Sequence, residues 1–451
     1  MAMATDSHTW PLWWRILILI NLCIYTTLGN LFAACVSPLL VVFAEEFHVS
    51  VTDTSHLPTY CVLTIGLSNL LAIPISQYIG KRYTILISMV IFMAVNIWSA
   101  YCTTFTELQA SRIVGGLGAG IVEALGPLIV TECFSEGHLA SAMVLYSFSL
   151  GAGASIGPVI AGLVYNGLHD WPWVFKITAI IAGVNLLTSI IMLPETTTRI
   201  PHAETASASG ADVEKSSAFE TEHTVQATRE SLQETASLRQ IWIERSFFWT
   251  LPDIKAESNF FVLFLQPFSL LTSPAVLLTS ITFGVLIAFT VMISIIYSTV
   301  LSMPPMLWTP LKVGLLNLSS IIGLMIGMPT GGILADIFYR RSARRNDGMA
   351  IRESRLKALF PGAIITPVGL VLIGVVLQKH LSWVGLAFGW LMMNIGLTAV
   401  ANVMLTYSVD CYPWRSAHIG VIVNVIKNLV GFGTSYGVVP WWRNWSLKYI
   451  M

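Results

Sequence analysis

The sequence predicts an all-α, polytopic membrane protein, and three observations lead there. Of 451 residues, 55% are hydrophobic and only 11% charged, where a soluble domain is about a quarter charged. Mean hydropathy is +0.72. The apolar residues fall in long blocks, and about 20 of them in a row let a helix cross roughly 30 Å of hydrocarbon. About eleven such blocks can be read. The 24 basic and 24 acidic residues balance, so net charge points to no nucleic-acid partner.

A short tail, 1–12, precedes six spans near 13–43, 60–79, 83–102, 108–131, 140–165 and 172–193. The first carries "LFAAC", which could pass for a processing site. Its apolar run continues past Cys35 to about Phe43, too long for the core of a removable signal, so an uncleaved span is expected. Residues 13–195 thus form a first bundle of six helices. Residues 196–270 form a linker, and its stretch "HAETASASGADVEKSSAFETEH" is too polar to bury a core and is expected to be disordered. Within it, "ESLQETASLRQIWIERSFFW" has helical spacing and fits either a membrane-surface helix or a short exposed one. Residues 271–451 form a second bundle, with spans near 274–301, 313–338, 358–378, 382–408 and 417–440. After Pro440 only "WWRNWSLKYIM" remains, too short and too polar to span.

Basic residues set the orientation. One side's short loops hold Lys81, Arg82, Arg340, Arg341, Arg344, Arg345, Arg352, Arg355, Lys357 and Arg415. The other side's hold little beyond Lys176, Lys312 and Lys379, beside Glu45, Glu46 and Asp53. The positive-inside rule then places the N-terminus and the linker in the cytosol. The six cysteines form no CxxC pattern and read as small core residues, with no metal or disulfide framework. The sequon at Asn317 lies within an apolar span and should be inaccessible.

Several motifs carry a resemblance. "GGILADIFYRR" resembles the loop signature of the major facilitator superfamily, Gly-x-Leu-Ala-Asp-x-x-Gly-Arg-Arg, which recurs between helices 2 and 3 and between helices 8 and 9. Gly332, Leu334, Ala335, Asp336, Arg340 and Arg341 match, and Tyr339 replaces the second glycine. The first-half copy, "IPISQYIGKR", keeps Gly80, Lys81 and Arg82 but has Ile73 and Gln77 where glycine and aspartate are expected. Helix 4, "SRIVGGLGAGIVEALGP", is similar to the family's Arg-x-x-x-Gly-x-Gly motif through Arg112, Gly116 and Gly118. Helix 5, "GAGASIGPVIAG", resembles the motif of drug–proton antiporters through Gly153, Gly157, Pro158 and Gly162. "WPWVFK", "LPET", "TYSVDCYP" and "KNLVGFGTSYG" have the flavour of fungal-type multidrug and metabolite exporters. The resemblance implies two related helical bundles around a central cavity, with helices 3, 6, 9 and 12 peripheral. The twelfth span is the one this reading finds missing.

Local chemistry adds roles. Asp336 and Arg340 lie one helical turn apart and can pair, or the acid can meet the positive end of a neighbouring helix as a latch. Gly153 and Gly157 allow close helix approach, and Pro158 cannot donate to the Ala154 carbonyl; a smooth, bendable face suits a rocking interface between halves. Arg112 and Glu123 project from nearly one face of helix 4, about 16 Å apart along its axis. Charges inside a membrane are costly, about 2.5–3.5 kcal/mol on insertion scales, so each should face a cavity or a partner. Burial favours the neutral form of a carboxyl group, and Glu123 is the expected proton-coupling acid. On helix 11, Asn424, Lys427, Asn428, Gly431, Thr434 and Ser435 share a face; on helix 10, Asn394, Thr398, Asn402 and Thr406 step towards Tyr407 and Asp410. Lys427 can pair with Glu123 across the halves or attract an anionic substrate. Asn30 on helix 1, with Tyr60, Ser68 and Asn69 on helix 2, completes the candidate cavity lining.

The functional expectation is proton-coupled efflux of a small organic molecule, such as a drug, toxin or secondary metabolite. It would act by alternating access, as a monomer in a lipid bilayer, with no cofactor and no metal. The plasma membrane is the expected site, and the vacuolar membrane the alternative. No GxxxxGK[ST] loop occurs, so ATP drive is not expected. No nucleophile–base constellation suggests an enzyme. Two alternatives stay open: proton-coupled uptake of a nutrient, and a truncated, non-transporting receptor or regulatory remnant.

Overall fold

A computed structural model describes residues 10–134, 136–196, 259–304, 306–345, 352–379, 381–412 and 415–444. Eleven helices among them are long and apolar enough to cross a membrane. They are α1 (Leu12–Ala34), α2 (Val51–Ile79), α3 (Lys81–Ala100), α4 (Phe105–Cys133), α5 (Glu136–Leu168), α6 (Pro172–Met192), α7 (Pro274–Ser302), α8 (Leu318–Arg345), α9 (Leu359–Gln378), α10 (Trp383–Cys411) and α11 (Ser416–Asn444). The expected disordered linker and its helix-like stretch lie, up to residue 258, outside the described residues. The end of that expected linker is helical: Phe260–Leu265 and a 3-10 turn, Gln266–Thr272, precede α7.

Several helices begin earlier than their apolar runs. Ser50 and Asp53 form a capping box at the start of α2, and Thr104 and Glu107 form one at the start of α4. Each box satisfies N–H groups that a helix start leaves without partners, so polar first turns extend helices that hydropathy begins later. The first span is interrupted. α1 stops at Ala34, a 3-10 turn covers Ser37–Leu39, and a short helix runs from Leu40 to Glu46. Pro38 has no N–H to offer the Ala34 carbonyl, which favours the break.

The face of the bundle where α1 begins is termed the near face, and the opposite one the far face. Trp14 Nε1 donates to the Met192 carbonyl at 3.0 Å, and Arg15 donates to the Cys133 carbonyl at 3.2 Å, tying the near-face ends of α1, α6 and α4. One apolar core is drawn entirely from residues 10–193, with Phe92 edge-on to both Tyr25 and Phe32. A second gathers residues of α7, α9 and α10 around Tyr297 and Trp390 and takes in Leu40 from the first half. α3, α6 and α9 turn apolar residues outwards, including Ile87, Val90, Ile180, Leu187, Ile364 and Val371. These are the surfaces a peripheral membrane helix offers to acyl chains.

The two halves of the chain meet along two seams. In the first, α2 lies against α11. Its far-face end stacks His56 on Tyr436 with ring centroids 4.7 Å apart, and its near-face end buries Leu70 and Ile73 against Val421 and Val425. In the second, α5 meets α8 and the short helix Pro310–Leu316. Ser155 and Ser320 share a hydrogen bond of 2.8 Å there. Asn317 is buried and accepts from the Tyr297 hydroxyl at 3.0 Å, so its sequon is inaccessible.

Candidate functional site

Three helices bring the site together at one depth. α4 approaches α2 closely because it presents glycine at the contact. A Cβ added at Gly116 would lie 2.7 Å from the Cys61 carbonyl oxygen, and one at Gly120 would lie 2.5 Å from that of Ile65. This close approach carries Glu123 to Asn69. On the other seam, a Cβ at Gly66 of α2 would lie 2.8 Å from Cβ of Asn428, which seats α11 directly against α2.

Across that seam Lys427 Nζ lies 3.3 Å from Glu123 Oε2, with the two side chains 5% and 2% exposed. Asn69 Nδ2 donates to the same carboxylate oxygen at 3.5 Å and to the Ile65 carbonyl at 2.9 Å. Asn424 Nδ2 donates to the Glu123 main-chain carbonyl at 3.4 Å. The ammonium of Lys427 sits 5.5 Å from the centre of the Phe283 ring on α7. Asn69 Oδ1 and Asn428 Nδ2 are buried and have no hydrogen-bond partner among the described residues. A charge pair out of water holds only while both members are present, since removing one strands the other in a low-dielectric interior. Unsatisfied amide groups can hydrogen-bond a polar molecule entering between the halves.

Arg112 is not part of this cluster. It is fully buried inside the first half, nearer the far face, where one guanidinium nitrogen donates to the carbonyls of Phe32 and Ala33. Its guanidinium carbon lies 3.8 Å from the Phe32 ring centre. The break after Ala34 leaves last-turn carbonyls without helical donors, and Arg112 supplies them. Asn30, half-buried, donates to its own helix at the Thr26 carbonyl. Asn402 and Tyr407, both half-buried, lie towards the near-face end of α10, whereas the contacts of the Glu123 cluster come from α2, α4, α7 and α11. The upper part of the α10 stripe faces its own half. Asn394 and Thr398 lie against Gly323 and Gly327 of α8 and donate to the Trp390 and Asn394 carbonyls. A stripe identifies a face, not the neighbour it meets.

The helix 5 glycines divide their work. Gly153 and Gly157 press on α1 at Thr27 and Leu31, within the first half, so they do not line the seam between halves as expected. Gly162 does: a Cβ there would lie 2.6 Å from the Pro310 carbonyl oxygen. A Cβ added at Gly314 would run into the Pro158 carbonyl oxygen, also across the seam, and α5 runs unbroken through Pro158.

The near-face latch also differs from expectation. Asp336 pairs with Arg355 at 2.9 Å, not with Arg340. Arg355 in turn lies 2.7 Å from Asp410 and stacks 4.3 Å from the Tyr339 ring centre, so the tyrosine at the second glycine position has a partner of its own. Arg340 and Arg341 are exposed. Of the paired glycines, Gly331 makes the close approach, since a Cβ added there would lie 2.7 Å from Ala399 Cα, while a Cβ at Gly332 would meet nothing within 4 Å. In the first half, where Gln77 stands in the aspartate position, Glu195 of the "LPET" stretch serves the α3 start. Its carboxylate accepts from the Lys81 and Arg82 main-chain N–H groups at 3.2 and 3.1 Å. Lys81 also pairs with Glu132.

A family model described as the Major Facilitator Superfamily matches residues 18–435. "Uncharacterized transporter C1529.01" of Schizosaccharomyces pombe is 26% identical over 427 residues, 93% of this chain and 79% of that protein. "Probable drug/proton antiporter YHK8" of Saccharomyces cerevisiae is 27% identical, over 86% of this chain and 70% of its own length. "Probable efflux pump mfs2" of Aspergillus flavus is 23% identical, over 88% and 87%.

Proposed function

The chain belongs to the Major Facilitator Superfamily and is a multi-pass membrane transporter, and we propose that it exports a small organic molecule in exchange for protons. The observation that carries this reading is the buried pair of Glu123 and Lys427, which joins the first half to the second. When Glu123 takes up a proton, Lys427 is left as an uncompensated cation in a dry seam. Separating the halves on one side relieves that cost by admitting water. With the halves open to the cytosol, substrate meets Asn69, Asn424 and Asn428 while Glu123 gives up its proton on that side; the loaded, deprotonated carrier then reopens outwards, substrate leaves, and Glu123 takes its next proton from there. Glu123 is thus the proton-coupling group and Lys427 its counter-ion, with residues 13–195 and 271–451 rocking as two bundles. Gly162, Gly314 and Pro158 form the small-residue contact over which the bundles tilt.

Export, rather than uptake, is favoured by the antiporter-like helix 5 motif and by relatives whose names contain drug/proton antiporter and efflux pump. The near face, which holds the Asp336–Arg355–Asp410 cluster, faces the cytosol in this reading, and the protein works as a monomer in the plasma membrane. The test is reconstitution into liposomes with an imposed pH gradient and a panel of fluorescent amphipathic dyes. The proposal expects inward proton flow to drive dye out through the wild-type protein and Glu123→Gln to abolish the dependence on the gradient. Dye moving with the protons would support uptake instead, and full gradient-driven export by Glu123→Gln would remove Glu123 from the mechanism.

A further inference from the structure

Away from the central seam, the far-face ends of α3 and α6 enclose a groove of about 540 Å³. That is within the range of about 300–1,000 Å³ typical of ligand sites. Small residues carve it: Ala100, Ala179 and Gly183 line it, and a Cβ added at Gly183 would meet only the Met93 sulfur at 3.4 Å. Its rim carries Ile97 and Ile180, both exposed on the lipid-facing side of their helices. At one end stands a single cation. Lys176 Nζ lies 4.8 Å from the Trp173 ring centre and 5.6 Å from that of Tyr101, held between two aromatic faces. It forms no ion pair among the described residues.

We propose that this groove binds one phospholipid, its acyl chain lying along Met93 and Ile180 and its phosphate on Lys176. The apolar trough opens sideways to the bilayer, so the occupant comes from the lipid and not from water. Aromatic residues of this kind mark the level of the headgroups. An acyl chain alone leaves the ammonium without a counter-ion, and a sterol offers it a hydroxyl but no anion. A phosphate at the end of a chain meets both features, because an ammonium paired with phosphate makes the stronger, charge-assisted hydrogen bond. The cation–ring contacts restrict Lys176 from swinging out to water, which fixes the charge where the headgroup must sit.

The test uses the full chain in detergent micelles and native mass spectrometry with three probes: dioleoylphosphatidylglycerol, dioleoylglycerol and ergosterol. The wild type should retain one phosphatidylglycerol and neither of the others. Lys176→Gln should weaken that retention about fivefold, the factor one cation contributes next to an anionic lipid, and Lys312→Gln should not. Gly183→Leu, which fills the trough, should lower retention while leaving Lys176 in place. A second measurement needs no variant: a phospholipid with a photoreactive acyl chain should cross-link to the peptides holding Met93 or Ile180. Equal retention of dioleoylglycerol or ergosterol by the wild type overturns the proposal. So does unchanged phosphatidylglycerol retention by Lys176→Gln, or cross-linking confined to other helices.

Discussion

Replacing Glu123 with glutamine tests the site by stability as well as by transport. In the wild type the carboxylate lies 3.3 Å from Lys427 Nζ, and neither side chain has more than 5% exposure, so solvent screening offers little relief. Breaking a buried pair by removing one partner costs about 3–5 kcal/mol. The Phe283 ring at 5.5 Å faces the ammonium in wild type and variant alike, so it leaves that cost unchanged. Glu123→Gln should therefore lower stability by about 3–5 kcal/mol. Lys427→Met should be destabilising too, by stranding the carboxylate. The double variant, which removes both charges, should return to within about 1 kcal/mol of the wild type. Equilibrium unfolding in mixed micelles, arranged as a double-mutant cycle, measures all three. Additive single effects with no coupling energy would refute the claim that the two charges sustain each other.

Three further outcomes follow from contacts elsewhere. Gly331→Val should destabilise by about 1–3 kcal/mol through overpacking against the Ala399 backbone, while Gly332→Ala should be silent; thermal melting of the purified variants separates them. Arg355→Ala should release the Asp336 and Asp410 carboxylates and change the transport rate, although its stability cost should stay near ~1 kcal/mol because Asp336 is largely exposed; Arg340→Ala should alter neither in the same assays. Glu195→Ala should cost about 0.5–2 kcal/mol, as loss of a helix cap does, whereas Gln77→Ala should stay within about 0.5 kcal/mol, compared by thermal melting.

The helices were legible because lipid imposes a simple rule: long apolar runs, interrupted where charges or prolines stand. Their starts were less so, since Ser50–Asp53 and Thr104–Glu107 look like loop until the capping bonds are seen. In the site, Glu123 and Lys427 stood out as full charges deep within apolar spans, and the cost of burial alone requires each to find a partner. Asn69 was visible only as one polar residue among several on its helix. Arg355 and Glu195 lie in polar stretches where nothing distinguishes a structural charge from a solvated one; only the arrival of distant helix ends gives them partners. Asn394 and Thr398 show the converse, because their stripe is real but the glycines of α8, far away in sequence, decide that it packs inside one half. The helix 5 motif divided for the same reason, with α1 taking Gly153 and Gly157 and the opposite half taking Gly162.

Side-specific labelling of the seam tests the central claim most directly. In a chain whose six cysteines are replaced, Asn424→Cys, half-buried beside the pair, can be probed in oriented vesicles with a membrane-impermeant maleimide added from either face. The account predicts that this cysteine reacts from both faces, that the balance between them shifts with pH, and that adding Glu123→Gln abolishes the shift. A cysteine that reacts from neither face, or a pH-dependent shift that survives Glu123→Gln unchanged, would contradict it.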